Sequence, residues 1–191
     1  LWKILEMDSL KSSMNLKGRK LTIDNATLWA DSIEAFAKAD VNFLEDSITI
    51  DVEGFRSLTY GLVMMLKENR TITFIEDKIM ASDISFLFAG GDINIHDFYM
   101  DSLNTKLLGN FSAVEGKEIL RQLGKDLPVD AKINGEFDFW MPDSLIRAEA
   151  ACSLWTDAIT IADIDWGMGF GTFNMDKGVF YIDNLSVIHG K

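Results

Sequence analysis

The chain has 191 residues, 48% of them hydrophobic and 25% charged, which suits one globular domain and is too apolar for wholesale disorder. A net charge of −12 argues against nucleic acid as a partner and against adhesion to an anionic membrane through a basic patch, since both draw affinity from Lys and Arg. A single cysteine, Cys152, excludes an internal disulfide, and no apolar run approaches the roughly 18 residues of a transmembrane helix.

The chain opens on Leu1-Trp2-Lys3-Ile4-Leu5, with neither an initiator Met nor a signal-peptide layout, so the expectation is an excerpt of a longer protein whose targeting segment lies elsewhere. Trp2, Leu5, Leu10, Met14 and Leu16 fit no single period. From Lys20 the period becomes two. Ile33, Ala35, Ala37, Ala39, Val41 and Phe43 alternate with polar residues, Phe36 excepted, which predicts a strand with one buried and one wet face. A turn at Glu45-Asp46 and the alternation of Ile48, Ile50 and Val52 predict its hairpin partner. Residues 57–68 read equally as a buried strand or a short helix. Strands are predicted again around Ile72 and Phe74, Ile79 and Ala81, and Ile84, Phe86 and Phe88, up to a break at Gly90-Gly91.

One helix is predicted, starting at Ser112-Ala113-Val114-Glu115, which has capping-box spacing. Ile119, Leu120 and Leu123 would form its apolar stripe and Gly124 its left-handed C′ residue, while Gly116 requires support from packing. After Pro128 comes the cleanest alternation: Val129, Ala131, Ile133, Gly135, Phe137, Phe139 and Met141 on one face, with a bend expected at Gly135. Further strands are predicted at 145–155, 158–162, 164–173 and 179–188. The total is about ten strands and one or two helices, with no composition shift to mark a domain boundary, hence one β-rich domain over 1–191.

Three stretches share one form. Gly18 to Trp29 and Gly178 to Val187 both carry Ile-Asp-Asn, and Gly91 to Met100 is a looser copy. Each reads as a strand, a two-residue polar break and a second strand. Asx turns at the breaks account for two of the four Asn-x-Ser/Thr sequons, Asn25 and Asn184; Asn69 and Asn110 complete the set.

Motifs for chemistry are weak. Gly167-Met168-Gly169-Phe170-Gly171 lies inside a strand pattern, whereas a dinucleotide loop joins a strand to a helix. There the glycines leave one face bare beside a large apolar one. His96 and His189 have no partners at metal-ligand spacing, and Asp163-x-Asp165 lacks the length and turn glycine of a calcium loop. Cys152 lies in the phase of Ile146, Ala148, Ala150 and Leu154, as a buried structural thiol would. No cofactor or metal is expected. What remains is an apolar face with too little helix to cover it, which must curl, close, or pack on a second sheet.

The repeated glycine-led Ile-Asp-Asn units at 18–28 and 178–187, the stretch Leu107-Leu108-Gly109-Asn110-Phe111-Ser112 leading into Ile119-Leu120-Arg121-Gln122-Leu123-Gly124, and Ile133-Asn134-Gly135-Glu136-Phe137-Asp138-Phe139 together resemble the AsmA-like family of bacterial envelope proteins, of the TamB and YhdP type. The likeness spans roughly residues 16–190. It implies one long, curled, largely antiparallel sheet, a β-taco or half-open barrel with an apolar interior. It further implies carriage of phospholipid between the membranes of the cell envelope, a periplasmic location with a tether to the inner membrane in the full-length protein, and membrane proteins at one or both ends of the groove. Phe86, Phe88, Ile133, Phe137, Phe139, Trp166 and Phe170 are the expected groove lining. A self-packed structural or adhesive β-sandwich is the alternative, and a carbohydrate-active enzyme using two carboxylates the least favoured reading.

Overall fold

The computed structural model describes residues 9–30, 33–59, 61–122, 124–142 and 147–189. Trp2, Leu5, Leu123 and Ile146, used above in pattern arguments, lie outside them, as does residue 60 of the ambiguous run. The described residues form thirteen strands and one helix in chain order: β1 (Ser9–Lys17), β2 (Lys20–Ala30), β3 (Ile33–Phe43), β4 (Ile48–Thr59), β5 (Leu62–Leu66), β6 (Arg70–Ile75), β7 (Lys78–Phe88), β8 (Gly91–Met100), β9 (Thr105–Glu115), α1 (Gly116–Gln122), β10 (Val129–Met141), β11 (Glu149–Ile161), β12 (Ile164–Asp176) and β13 (Val179–Ile188). All thirteen strands belong to a single antiparallel sheet in which each pairs with its sequence neighbours, except that β5 and β6 do not pair with each other and both lie between β4 and β7. The sheet is long and curled and does not close into a barrel. Among the described residues β1 and β13 are the first and last strands of the order.

The ambiguous run at 57–68 resolves into strand. β4 pairs through Arg56–Thr59 with β5 and through Ile48–Val52 with β6, so β5 and β6 lie end to end in one strand position. The interruption at 67–69 is stitched to β7: Lys67 N–H donates to Ser85 O at 2.9 Å, and the Arg70 guanidinium donates to Asp83 O. The N-terminal residues without a period are, from Ser9, the edge strand β1, with Leu10, Met14 and Leu16 opposite Leu28, Ile23 and Leu21. Residues 149–161, expected as two strands, are one.

The repeated polar breaks are not turns between two strands. Each lies inside one continuous strand as a β-bulge. Ile23 pairs with Ala39 and Ala26 with Ala37, so Asp24-Asn25 faces the single residue Lys38. Phe173 pairs with Ile182 and Thr172 with Asn184, leaving Asp183 extra. His96 is the extra residue of β8 against β9. A bulge adds one residue to a strand whose side chains otherwise alternate, so it reverses which parity faces the core. Apolar residues three apart across each bulge, such as Ile23 and Ala26 or Ile182 and Leu185, therefore stay on one face. The Asx-turn account of Asn25 and Asn184 is corrected accordingly; Asn25 instead accepts from the Thr27 hydroxyl within its own strand at 3.3 Å.

The helix begins later than its sequence cap. Ser112 to Glu115 end β9: Ser112 pairs with Asp92, Val114 with Ile133, and Glu115 N–H donates to Ala89 O at 2.9 Å. Sheet hydrogen bonds thus take the groups that a capping box would use. α1 has seven residues and packs on β10, where a Cβ on Gly116 would stand 3.3 Å from Ile133 Cδ1. The absence of a side chain lets the helix approach the strand. Gly124 has φ 71°, and Lys125 N–H reaches Leu120 O at 2.9 Å, the closure expected of a left-handed C′ residue.

Candidate functional site: an apolar sheet face

One face of the sheet is apolar across its width. A single row of cross-strand partners runs Leu66, Phe86, Ile93, Phe111, Gly135, Leu154, Gly171, Leu185 from β5 to β13. The next row passes through Ile95, Gly109, Phe137, Cys152, Phe173 and Ile182. Large side chains lie beside glycines, and the rings fold down over them. Phe111 and Phe137 stack with centroids 6.5 Å apart and planes 13° from parallel. A Cβ on Gly109 would strike the Phe137 ring, and one on Gly135 the Phe111 ring.

This face is only partly covered. Among the described residues no large side chain is fully buried, and the buried apolar residues are small or medium: Ala30, Ala39, Val41, Ala81, Ile84, Ala89, Val114 and Ala148. Strands pack on their hydrogen-bonded neighbours, and α1 on β10 is the principal further packing. Where Gly169 and Gly171 remove side chains from β12, the face deepens into a concave pocket of about 200 Å³, walled by Ile133, Leu154, Ile159, Phe173, Leu185 and Val187.

Of the expected lining residues, Phe86, Ile133, Phe137 and Phe139 share this face. Phe86 meets Phe55 edge to face at 6.1 Å. Phe88 is in phase with Phe86 and pairs with Met64 and Gly91. Phe170 is displaced from the expected set. It pairs with Trp155 and Ser186 and alternates with Thr172 and Asn174, the phase opposite Gly171 and Phe173, so it borders the pocket from the other face. The glycines, not Met168 and Phe170, face inward there. Trp166 stands half-exposed in the irregular step between Asp165, paired with Thr160, and Gly167, paired with Ile159. Gly167 adopts φ 86°, and its N–H donates to the Asp165 carboxylate at 2.7 Å. That irregularity resets the parity of β12, which alternation alone does not reveal. Of the missed wall residues, Leu185 had a readable signal, the three-residue apolar spacing of Ile182 and Leu185 around Asp183-Asn184, whereas Ile159 and Phe173 had none of this kind.

The opposite face carries the charged residues and is cross-linked, with Leu87, Trp140, Trp155 and Phe170 exposed among them. Lys20 pairs with Asp40 at 2.8 Å and Lys38 with Glu53 at 2.5 Å. The Thr22 hydroxyl donates to Asp40 at 2.7 Å, and Asp51 accepts from Asn42 and Thr71. The hydrogen bond from Lys20, then that from Thr22, holds the Asp40 carboxyl below the usual carboxylate range, and Lys20 is raised correspondingly. Cys152, half-buried between Phe137 and Phe173, has its thiol pKa pushed up by burial, which disfavours the thiolate. Among the described residues no group of three or more His, Cys, Asp or Glu is placed to hold a metal ion, and no helix is long and apolar enough to cross a membrane.

No family model matches the chain, nor does any curated protein or solved structure.

Proposed function

We propose that the apolar face is a lipid groove, and that the protein is a lipid-binding and transfer module shielding phospholipid acyl chains between membranes of the cell envelope. The carrying observation is the wide apolar face of an unclosed sheet on which, among the described residues, no large side chain is fully buried. Apolar surface of this extent on a protein normally has an occupant. The mechanism is passive desolvation: each acyl methylene taken from water contributes about 0.8 kcal/mol, so a chain of ordinary length binds without a dedicated polar contact. The acidic, ion-paired reverse face stays in water and is repelled by anionic headgroups, which favours transit over adhesion. The AsmA-like resemblance supports a periplasmic setting, a tether to the inner membrane, and membrane proteins meeting the groove at its ends. A self-packed sandwich would instead bury the large side chains of that face, and among the described residues none is fully buried.

Native mass spectrometry of the gently purified chain tests the reading. Phospholipid adducts, and displacement of them by a fluorescent fatty acid, are expected. A lipid-free chain with no affinity for the fatty acid overturns it. Phe137→Glu adds a charge to the apolar face; it should abolish uptake while far-UV circular dichroism keeps its β signature, whereas in a sealed core the same change would unfold the domain.

A further inference from the structure

The face opposite the apolar one carries a second constellation, in the interior of the sheet and away from the charged network of β2 to β4. Asn94, Asn110, Glu136, Ser153 and Thr172 are successive cross-strand partners from β8 to β12, so each strand contributes one hydrogen-bonding side chain to a single row. The steps along that row are about 4.8 Å. Two residues along the strands, about 7 Å away, Asn134, Trp155 and Phe170 form a parallel row, again as partners in turn. Trp155 and Phe170 are 39% and 40% exposed. Between the rows the surface dips into a depression of about 440 Å³ lined by Asn94, Asn110, Ser112, Asn134, Glu136 and Trp155. The amides along it are held in place. Asn94 Nδ2 donates to Asn110 Oδ1 at 2.8 Å, and Asn110 Nδ2 lies 2.9 Å from His96 Nε2. Asn134 Oδ1 accepts from Ala113 N–H at 2.9 Å, in the bulge that sets Ser112 and Ala113 (φ 53°) against Asn134. An Asn side chain offers two N–H groups and two lone pairs, so these bonds leave Asn134 both its donors and Asn94 its carbonyl. Glu136, Ser153 and Thr172 have no side-chain partner among the described residues.

We propose that this depression binds an uncharged oligosaccharide of β-linked pyranose rings, one ring lying on Trp155 and the next toward Phe170, with the polar row meeting their hydroxyls. A pyranose with equatorial hydroxyls presents a flat C–H face whose hydrogens carry partial positive charge, and the face of an aromatic ring carries the negative lobe of its quadrupole. The hydroxyls around the sugar's rim donate and accept at once, and a row of amides, hydroxyls and one carboxylate answers both needs. Charge narrows the occupant. No Lys or Arg lines the depression and Glu136 stands in it, so acidic glycans and phosphates are repelled. An acyl chain does not suit it either, because covering the amides and Glu136 with hydrocarbon leaves polar groups unpaired. A cross-strand aromatic pair also stabilises a sheet, which accounts for the two rings but not for the unpartnered side chains beside them. The site lies on the face opposite the proposed lipid groove and does not rest on that reading.

Isothermal titration calorimetry of the chain with cellohexaose, and separately with its N-acetylglucosamine counterpart chitohexaose, is the test. Saturable binding of at least one is expected. Trp155→Ala should weaken it about tenfold or more, while Trp155→Tyr, which keeps an aromatic platform, should retain most of the affinity. Asn110→Ala leaves both rings in place and should weaken binding severalfold at unchanged circular dichroism, a loss that a purely structural role for the rings would not produce. Where Trp155→Ala does not fold, Phe170→Ala on the next strand gives the same reading. Silence with both sugars overturns the proposal, as does an affinity that neither Trp155→Ala nor Phe170→Ala alters, which would place the sugar elsewhere. Tighter binding of a lysine decapeptide, lost in Trp155→Ala, also overturns it, as the mark of a site for basic peptide. Sugar binding by a chain that takes up no fatty acid still supports it, so this proposal and the lipid groove fail separately.

Discussion

Phe137 is the residue on which sheet geometry and proposed function meet. Its ring lies over Gly109 on the neighbouring strand, as Phe111 lies over Gly135, so the aromatic faces lie against backbone that a side chain would otherwise hide. Gly109→Ala puts a methyl against the Asn94 carbonyl and the Phe137 ring and should destabilise the fold by about 1–3 kcal/mol, the usual cost of overpacking, read as a lower urea midpoint at unchanged slope. On the polar face Asp101 does the work of a turn. It accepts from Leu103 N–H at 2.7 Å, Asn104 N–H at 2.6 Å and the Tyr99 hydroxyl at 2.6 Å. The Tyr99 bond, followed by the backbone bond from Leu103, holds its carboxyl below the usual range. Because the folded-state pKa of Asp101, like that of Asp40, is depressed, the stability it contributes is complete above the unfolded value of about 3.9 and drains as pH falls through the lower folded value. The Tm deficit of Asp101→Asn should accordingly be full at pH 7 and shrink toward zero in strong acid. A deficit that grows below pH 4 would contradict this assignment.

At the scale of the element, the bulge is the device that keeps a long strand useful. β2 and β13 run ten or eleven residues, and their apolar positions change parity midway, at Asp24-Asn25 and Asp183-Asn184. Without the extra residue, half of each strand would turn its apolar side chains to the wet face. Asp24→Ala keeps the residue count and should cost under about 1 kcal/mol, in the range of changes away from core and caps. Deleting Asp24 moves either Leu21 and Ile23 or Ala26 and Leu28 across the sheet, and each large side chain so exposed forfeits about 1.5–3 kcal/mol. The deletion should therefore abolish cooperative thermal unfolding where the substitution leaves it intact. The same device explains what could be read of these strands. Alternation was plain within each half, and the parity change was visible as two apolar residues three apart, yet a polar pair there resembles a turn until the partner strand is in view. The capping-box spacing at Ser112–Glu115 misled for a related reason: backbone groups at a strand end have sheet partners available, and Val114 and Glu115 take them.

The described residues form one sheet whose strands are satisfied by their neighbours and whose apolar face is only partly covered. Such a fold gains its cohesion strand by strand and has slack for a ligand that supplies the missing layer. A ligand that binds the native state at a hundred times its Kd stabilises it by about 2.7 kcal/mol. A saturating long-chain fatty acid should raise Tm by several degrees, and a short-chain acid at the same concentration should not, because the stabilisation scales with methylenes buried. An unchanged Tm with both would remove the support for the groove.

Read alone, the sequence determined that the chain is β-rich, which residues alternate, that Ile133, Phe137 and Phe139 share a face, and where the Ile-Asp-Asn unit recurs. These follow from a side-chain period that is local to each strand. Only the tertiary structure decided that the polar pairs are bulges, that Gly169 and Gly171 face the pocket while Phe170 does not, that β5 and β6 share one strand position, and that the sheet stays open. Each of those depends on register, a relation between strands distant in the chain, and one residue of register exchanges the two faces of everything beyond it.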